Sequence, residues 1–219
     1  MPSSTVENYL KAMHHLSGAG DEPIAIGRIA GELELTPGTV TTMMKHLGSR
    51  GLVDYLPRRG ARLTPTGEAA ALKVLRRHRL IELFLVEVME LDWGDVHDEA
   101  EELEHVISDR LLARMDEMLG HPTADPHGAP IPDADGRMPE QSCASLAEAE
   151  PGGYQVVQVS EEDGALLDWL SEHGLRPGSA FQLLSHDKPT GILRLKILGS
   201  GLETNLGSNA AGHLRVQPT

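Results

Sequence analysis

A chain of 219 residues with 40% hydrophobic content is long enough for one to three globular domains and too apolar for disorder throughout. A single cysteine, Cys143, excludes an internal disulfide and a cysteine-rich zinc cage. Despite the formal charge of −14, no stretch approaches the roughly 18 uninterrupted apolar residues of a bilayer span, and the start MPSSTVENYL has no secretory pattern, so a cytoplasmic protein with no membrane partner is expected.

In chain order, Ser3, Ser4 and Thr5 offer caps to a helix whose apolar positions Val6, Tyr9, Leu10, Met13 and Leu16 keep helical spacing, with a stop near Gly18 to Gly20. Ile29, Ala30 and Leu33 suggest a brief second helix. Thr36-Pro37 opens a third by the cap-then-proline rule, running to about Arg50 before Gly51. Leu52 to Leu56 and Ala61 to Leu63 read as short strands around Pro57, Arg58, Arg59 and Gly60. Three helices followed by a basic hairpin make a winged helix-turn-helix.

Thr64-Pro65-Thr66 restarts helix, which Leu72, Leu75, Leu80, Leu83, Phe84 and Val88 carry to about Glu90. An acidic helix follows over about Gly94 to Ser108. A shorter one with Leu111, Leu112, Met115 and Leu119 ends at Gly120. From His121 to Gly153 proline, glycine and small residues read as a linker with some fixed structure. Tyr154 to Val159, Ala180 to Ser185, Ile192 to Leu198 and His213 to Val216 are then strand candidates, with one helix near Ala165 to His173. The fold class is mainly α with a small β domain. The expected division is a DNA-binding domain over 1–72, a helical domain over 73–141, a linker over 142–152 and a β domain over 153–219.

The charge is unevenly spread. Residues 1–72 carry seven Lys/Arg and seven Asp/Glu, 73–141 carry seven against 17, and 142–219 carry five against nine. Between Thr36 and Arg62, Lys45, Arg50, Arg58, Arg59 and Arg62 face Asp54 alone, a local balance of +4. Such a patch suits phosphate contact whatever the total charge. The second helix of a helix-turn-helix lies in the major groove with its N-terminal residues towards base edges. Here these are Thr36, Gly38, Thr39, Thr41 and Thr42, with Lys45 placed for a phosphate. Hydroxyl and methyl groups suit thymine methyls and water-bridged edges better than bidentate guanine reading. Arg58, Arg59 and Arg62 would touch the backbone or a minor groove.

The segment VHDEAEELEH carries the metal-binding signal. At roughly 100° per residue, His97, Glu101, Glu104 and His105 of one helix fall within an arc of about 100°. His78 and Glu82 share a face one helix earlier. If the two helices pack, six nitrogen and oxygen donors meet at the seam. Asp98, Glu99, Glu101, Glu102 and Glu104 also crowd five carboxylates into seven residues, a repulsion that a divalent cation removes. Without a thiolate, the set suits manganese or ferrous iron, although intrinsic affinity ranks zinc above both. His14, His15, His121 and His127 have no such pattern and read as surface or core residues.

The stretches ENYLKAM, LTPGTVTTMMKHLGSRGLV, LTPTGEAAA, RRHRLIELFL, VHDEAEELEHVISD and DPHGAPIP together resemble the diphtheria toxin repressor and manganese transport regulator family, DtxR/MntR, over nearly the whole chain. The resemblance implies a metal-activated repressor of metal homeostasis genes: a homodimer on double-stranded operator DNA, with a helical dimerisation domain and a C-terminal SH3-like barrel of the FeoA type. It places one metal site at His78, Glu82 and His97, and a second at Glu101, Glu104 and His105 with help from Asn8. Glu161 or Asp163 is the candidate for a ligand from the C-terminal domain. Iron-type members carry cysteine where this chain has Glu101 and methionine where it has Asn8, whereas manganese-type members carry glutamate and aspartate. Glu101 therefore points to manganese, with Fe2+ the alternative and Co2+ or Zn2+ able to substitute in vitro. Asn8 matches neither type, but its amide carbonyl still offers a neutral oxygen. Two other readings compete: a metallohydrolase, which lacks HExxH and any obvious base and nucleophile, and a MarR-like sensor of an organic ligand, which leaves the carboxylates unexplained. No catalysis and no organic substrate are expected.

Overall fold

The computed structural model describes residues 3–17, 22–160 and 164–219, which form two compact units. The first comprises Met1–His78, Leu103–Ile107 and Pro132–Arg137. It contains α1 (Ser4–Leu16), α2 (Ile26–Glu32), α3 (Pro37–Ser49), the hairpin β1 (Val53–Leu56) and β2 (Gly60–Leu63), and the first half of α4 (Pro65–Glu87). The helices pack because their apolar stripes converge: Leu10, Met13, Ile29, Val40, Met44 and Leu47 are all fully buried. α3 starts where Thr36, in extended conformation, accepts the Thr39 N–H on its side chain and Pro37 follows. The expected stop of α1 at Gly18 to Gly20 lies outside the described residues.

The hairpin is pinned to the chain before α2 by two backbone hydrogen bonds between Ile24 and Ala61 (2.7 and 2.9 Å). Gly60 makes that approach possible. Its φ is 126°, and a Cβ there would stand 2.1 Å from the Ile24 carbonyl oxygen.

The second unit comprises Arg79–Glu102, Ser108–Ile131 and Met138–Thr219. After the remainder of α4 come α5 (Val96–Leu103), α6 (Asp109–Met118), an irregular segment, and a six-stranded antiparallel sheet. The strands are β3 (Ala144–Ser145), β4 (Gly152–Val159), β5 (Ala180–Asp187), β6 (Ile192–Ile197), β7 (Glu203–Gly207) and β8 (Leu214–Pro218), in the order β3-β8-β4-β5-β6-β7. α7 (Gly164–Glu172) and α8 (Ser208–Gly212) accompany the sheet. Its core, around Val156, Leu167, Leu170, Phe181, Leu193, Leu195 and Leu214, extends to Trp93 in the connection between α4 and α5.

Several elements differ from the sequence-based expectation, among them the short α8, which was not foreseen. The acidic helix, expected to reach Ser108, ends at Leu103: Val106 and Ile107 N–H both turn back to the Leu103 carbonyl, and Ser108, extended, caps α6 by accepting the Leu111 N–H. A residue committed to capping the next helix cannot continue the previous one. Within 142–152, expected as linker, β3 pairs with β8 and a 3-10 turn over Leu146–Glu148 buries Leu146 completely. β7 went unpredicted because only Leu206 of its five residues faces the core.

Candidate metal centres and DNA-reading surface

In the first unit α3 presents Thr36, Gly38, Thr39, Thr42 and Lys45 to solvent, and Thr41 is half-exposed. The Thr41 and Thr42 hydroxyls donate back to the Pro37 and Gly38 carbonyls (2.8 and 3.1 Å), so each spends its proton on the helix and offers outward a methyl group and an oxygen lone pair. On the hairpin Arg58 and Arg59 are exposed at the turn, Arg58 with φ of 67°. Arg62 differs: it lies opposite Asp54 on the neighbouring strand and its Nε donates to Asp54 Oδ2 at 3.1 Å. With Asp54 beside it, Arg62 offers less charge to phosphate than Arg58 and Arg59 do.

The same unit assembles a charged cluster around Glu104, which is fully buried in the turn after α5. Glu104 Oε2 is 2.7 Å from His78 Nδ1, Oε1 accepts from Lys11 Nζ at 2.8 Å, and His105 Nε2 stands 3.5 Å from Oε1. His105 Nδ1 is in turn held at 2.7 Å by Glu7 Oε2, whose other oxygen meets Arg77 Nη1 at 3.4 Å. A carboxylate on one imidazole nitrogen fixes the proton there, leaving the lone pair on the other, the arrangement of a metal-ligating histidine. Glu7 supplies that carboxylate, and spacing alone gave no sign of it. Asn8 sits on α1 between Glu7 and Lys11. Its Oδ1 is buried and, among the described residues, has no hydrogen-bond partner. A buried amide oxygen with no hydrogen-bond partner, on the same helix as Glu7 and Lys11, fits a ligand to a hard cation.

In the second unit Glu82 on α4 is fully buried. His97 Nδ1 is 3.4 Å from Glu82 Oε1 and its Nε2 is 3.7 Å from Glu101 Oε1, one turn further along α5. His97 and Glu101 thus share a helical face as expected. Glu104 and His105, expected on that face too, lie beyond the end of the helix.

The second unit also joins Glu82 to two residues not singled out as ligands. Glu82, Asp125 and His127 are all buried and offer ligand atoms within 4.8 Å of one another. Asp125 Oδ1 accepts the backbone N–H groups of His127 and Ala129 (2.8 and 2.9 Å), and Arg79 Nε is 3.4 Å from Oδ2. His127 Nε2 donates to the Trp93 carbonyl at 2.8 Å and its ring stacks on Trp93. Gly128 completes the loop with φ of 84° where a Cβ would stand 1.9 Å from the Val157 carbonyl oxygen. His127 is therefore a buried residue of an ordered site, and the histidine and carboxylate of DPHG were the missed signal. His14 is 2.8 Å from Glu68 and His15 is 3.6 Å from Glu32, so each meets a carboxylate from another element. Glu161 and Asp163 lie outside the described residues.

Both clusters thus combine buried carboxylate oxygens with imidazole nitrogens and contain no thiolate, a donor set that fits a divalent ion of the manganese or ferrous type.

Comparison with known proteins adds independent findings. Residues 1–61 match the iron dependent repressor N-terminal DNA binding domain, residues 64–133 the iron dependent repressor metal binding and dimerisation domain, and residues 144–218 the FeoA domain. The chain is 33% identical to the diphtheria toxin repressor of Corynebacterium efficiens over 97% of its own length and 95% of that protein's. It is 34% identical to the iron-dependent repressor IdeR of Mycobacterium leprae over 80% of this chain and 81% of the other. Among solved structures, a manganese-dependent transcriptional repressor in complex with manganese matches with a TM-score of 0.90 and 34% identity, covering 98% of this chain and 100% of that one.

Proposed function

The chain belongs to the DtxR/MntR family of metal-dependent transcriptional repressors, and from that premise we propose that manganese is the ion that activates it. Its relatives are repressors rather than enzymes, which speaks against the metallohydrolase alternative. The observation that carries the choice of metal is the donor set: buried and half-buried carboxylates and imidazoles without a thiolate, with Glu101 at the position where the family resemblance implies a cysteine for iron-type members. Relatives named for iron and for manganese are both at hand, so Fe2+ is the reading against which manganese is tested.

We assign reading of DNA to 1–72, metal binding and dimerisation to 73–141, connection to 142–152 and the SH3-like domain to 153–219. Residues Thr36, Gly38, Thr39, Thr41, Thr42 and Lys45 approach the major groove, and Arg58 and Arg59 the backbone, with Arg62 in a lesser role. One ligand set is Asn8, Glu101, Glu104 and His105. A second centres on Glu82, with His78 and His97 as the family pattern implies and with Asp125 and His127 as the buried neighbours of the same carboxylate. The bound ion supplies concentrated positive charge that lets these acidic groups stay close. Glu104 and His105 would hold the ion together with Asn8 of α1, and that shared ligation would favour the orientation of α1, and of the helices packed on it, that reads DNA. Homologous pairs of α6 carry dimerisation: the helix buries none of its residues in the chain, and Leu111, Met115 and Met118 form an apolar edge at helical spacing.

The test is a titration of the purified protein with Mn2+, Co2+, Zn2+ and, without oxygen, Fe2+, read by binding to duplexes selected from random-sequence DNA. Manganese is expected to activate at concentrations where ferrous iron does not. Activation by iron at lower free concentration than manganese would overturn the assignment and leave the iron-responsive reading.

A further inference from the structure

A fully buried carboxylate needs a compensating charge. For Glu104 that charge comes from α1: Lys11 Nζ lies 2.8 Å from Oε1, with the lysine side chain 18% exposed. The choice of oxygen matters. Oε2 is engaged by His78 Nδ1, whereas Oε1, the atom Lys11 covers, is the one nearest His105 Nε2 at 3.5 Å. An ion ligated by both His105 and Glu104 needs that oxygen. An ammonium has three donors and no lone pair, so it cannot join such a site as a ligand and can only compete for it.

We propose that Lys11 is a tethered competitor of the activating metal, held on Glu104 Oε1 in the metal-free protein and displaced when the ion binds, so that it raises the metal concentration at which this repressor switches. The proposal rests on the reading of Glu104 as a metal ligand. Lysine suits the role: its charge sits on a long flexible stem, and its partial exposure gives the head a route into water when it leaves. The exchange swaps one monovalent charge for one divalent charge on a carboxylate that is never left unpaired. Arg77 performs no such exchange, because its guanidinium rests on Glu7, which orients His105 through the nitrogen opposite the ligating one.

The experiment measures manganese binding directly in the full chain, by the loss of the free-ion electron paramagnetic resonance signal, for Lys11→Met, Lys11→Gln, Lys11→Arg and Glu104→Gln. Both neutral variants are expected to bind manganese about tenfold or more tightly than the original chain, and Lys11→Arg no more tightly than it. Their metal-free melting temperatures should fall, since Glu104 loses its counter-charge, while the rise on adding manganese becomes larger. Should Lys11→Met fail to fold, Lys11→Gln carries the comparison. Neutral variants with unchanged or weaker manganese affinity overturn the proposal, as does a Lys11→Arg variant that gains affinity like the neutral ones. Glu104→Gln separates the two levels: retained affinity there sinks the ligand assignment itself, whereas lost affinity there with unaltered Lys11 variants sinks only the competitor.

Discussion

On the proposed ligand sets, single side chains set how tightly the ion is held. Asn8 contributes a buried, unsatisfied oxygen without charge, and replacing it by aspartate adds a negative charge at that place. Asn8→Asp is therefore expected to tighten manganese binding by about tenfold, equivalent to ~1.4 kcal/mol, and calorimetric titration that shows no gain would remove Asn8 from the ligand set. Glu7 acts through His105, so Glu7→Gln should weaken manganese binding by about tenfold to a hundredfold, with partial rescue in Glu7→Asp. Affinity indifferent to both changes would mean that the Glu7–His105 pair is only structural. The six ligand candidates on 78–105 were legible because histidine and glutamate recur at helical spacing on adjacent segments. Glu7, Lys11, Asp125 and His127 were not, since their partners are brought near by folding: Glu7 meets His105 across 98 positions, and Lys11 meets Glu104 across 93.

At the scale of elements, capping and turn chemistry set what the side chains can reach. Thr36-Pro37 announced α3 and the hairpin followed from alternation around Pro57 to Gly60, so the reader was legible almost element by element. The end of α5 was not, because the acidic helical pattern runs on past Leu103 and only the capping role of Ser108 breaks it. Sheet strands with one buried residue, such as β7, leave little apolar signal in one dimension. The exposed Arg58 and Arg59 should each contribute about one unit to the slope of log affinity for DNA against log salt, and Arg62→Ala less, because Asp54 already holds that guanidinium. Equal slopes for all three single alanine variants would contradict this. Gly128→Ala, which forces a methyl group into the Val157 carbonyl at a left-handed φ, should destabilise the second unit by on the order of 2–4 kcal/mol, measured by denaturant unfolding.

At the largest scale the proposed switch calls for two copies of the chain and an ion that changes how the reader is held. Across the described residues no helix is long and apolar enough to cross a membrane, and α6 leaves Leu111 and Met118 exposed, the edge proposed above for a second copy. Leu111→Glu with Met118→Glu is expected to yield monomers by sedimentation velocity and to abolish cooperative binding to paired half-sites. Dimers that persist would move the interface elsewhere. The proposal that carboxylates and imidazoles gathered around an ion control DNA binding is tested by equilibrium binding of the dimer to its selected duplex with manganese supplied and then removed by chelator. Affinity should fall by tenfold or more on removal and return on readdition. Equal affinity in both conditions would show that the ion has no part in the switch.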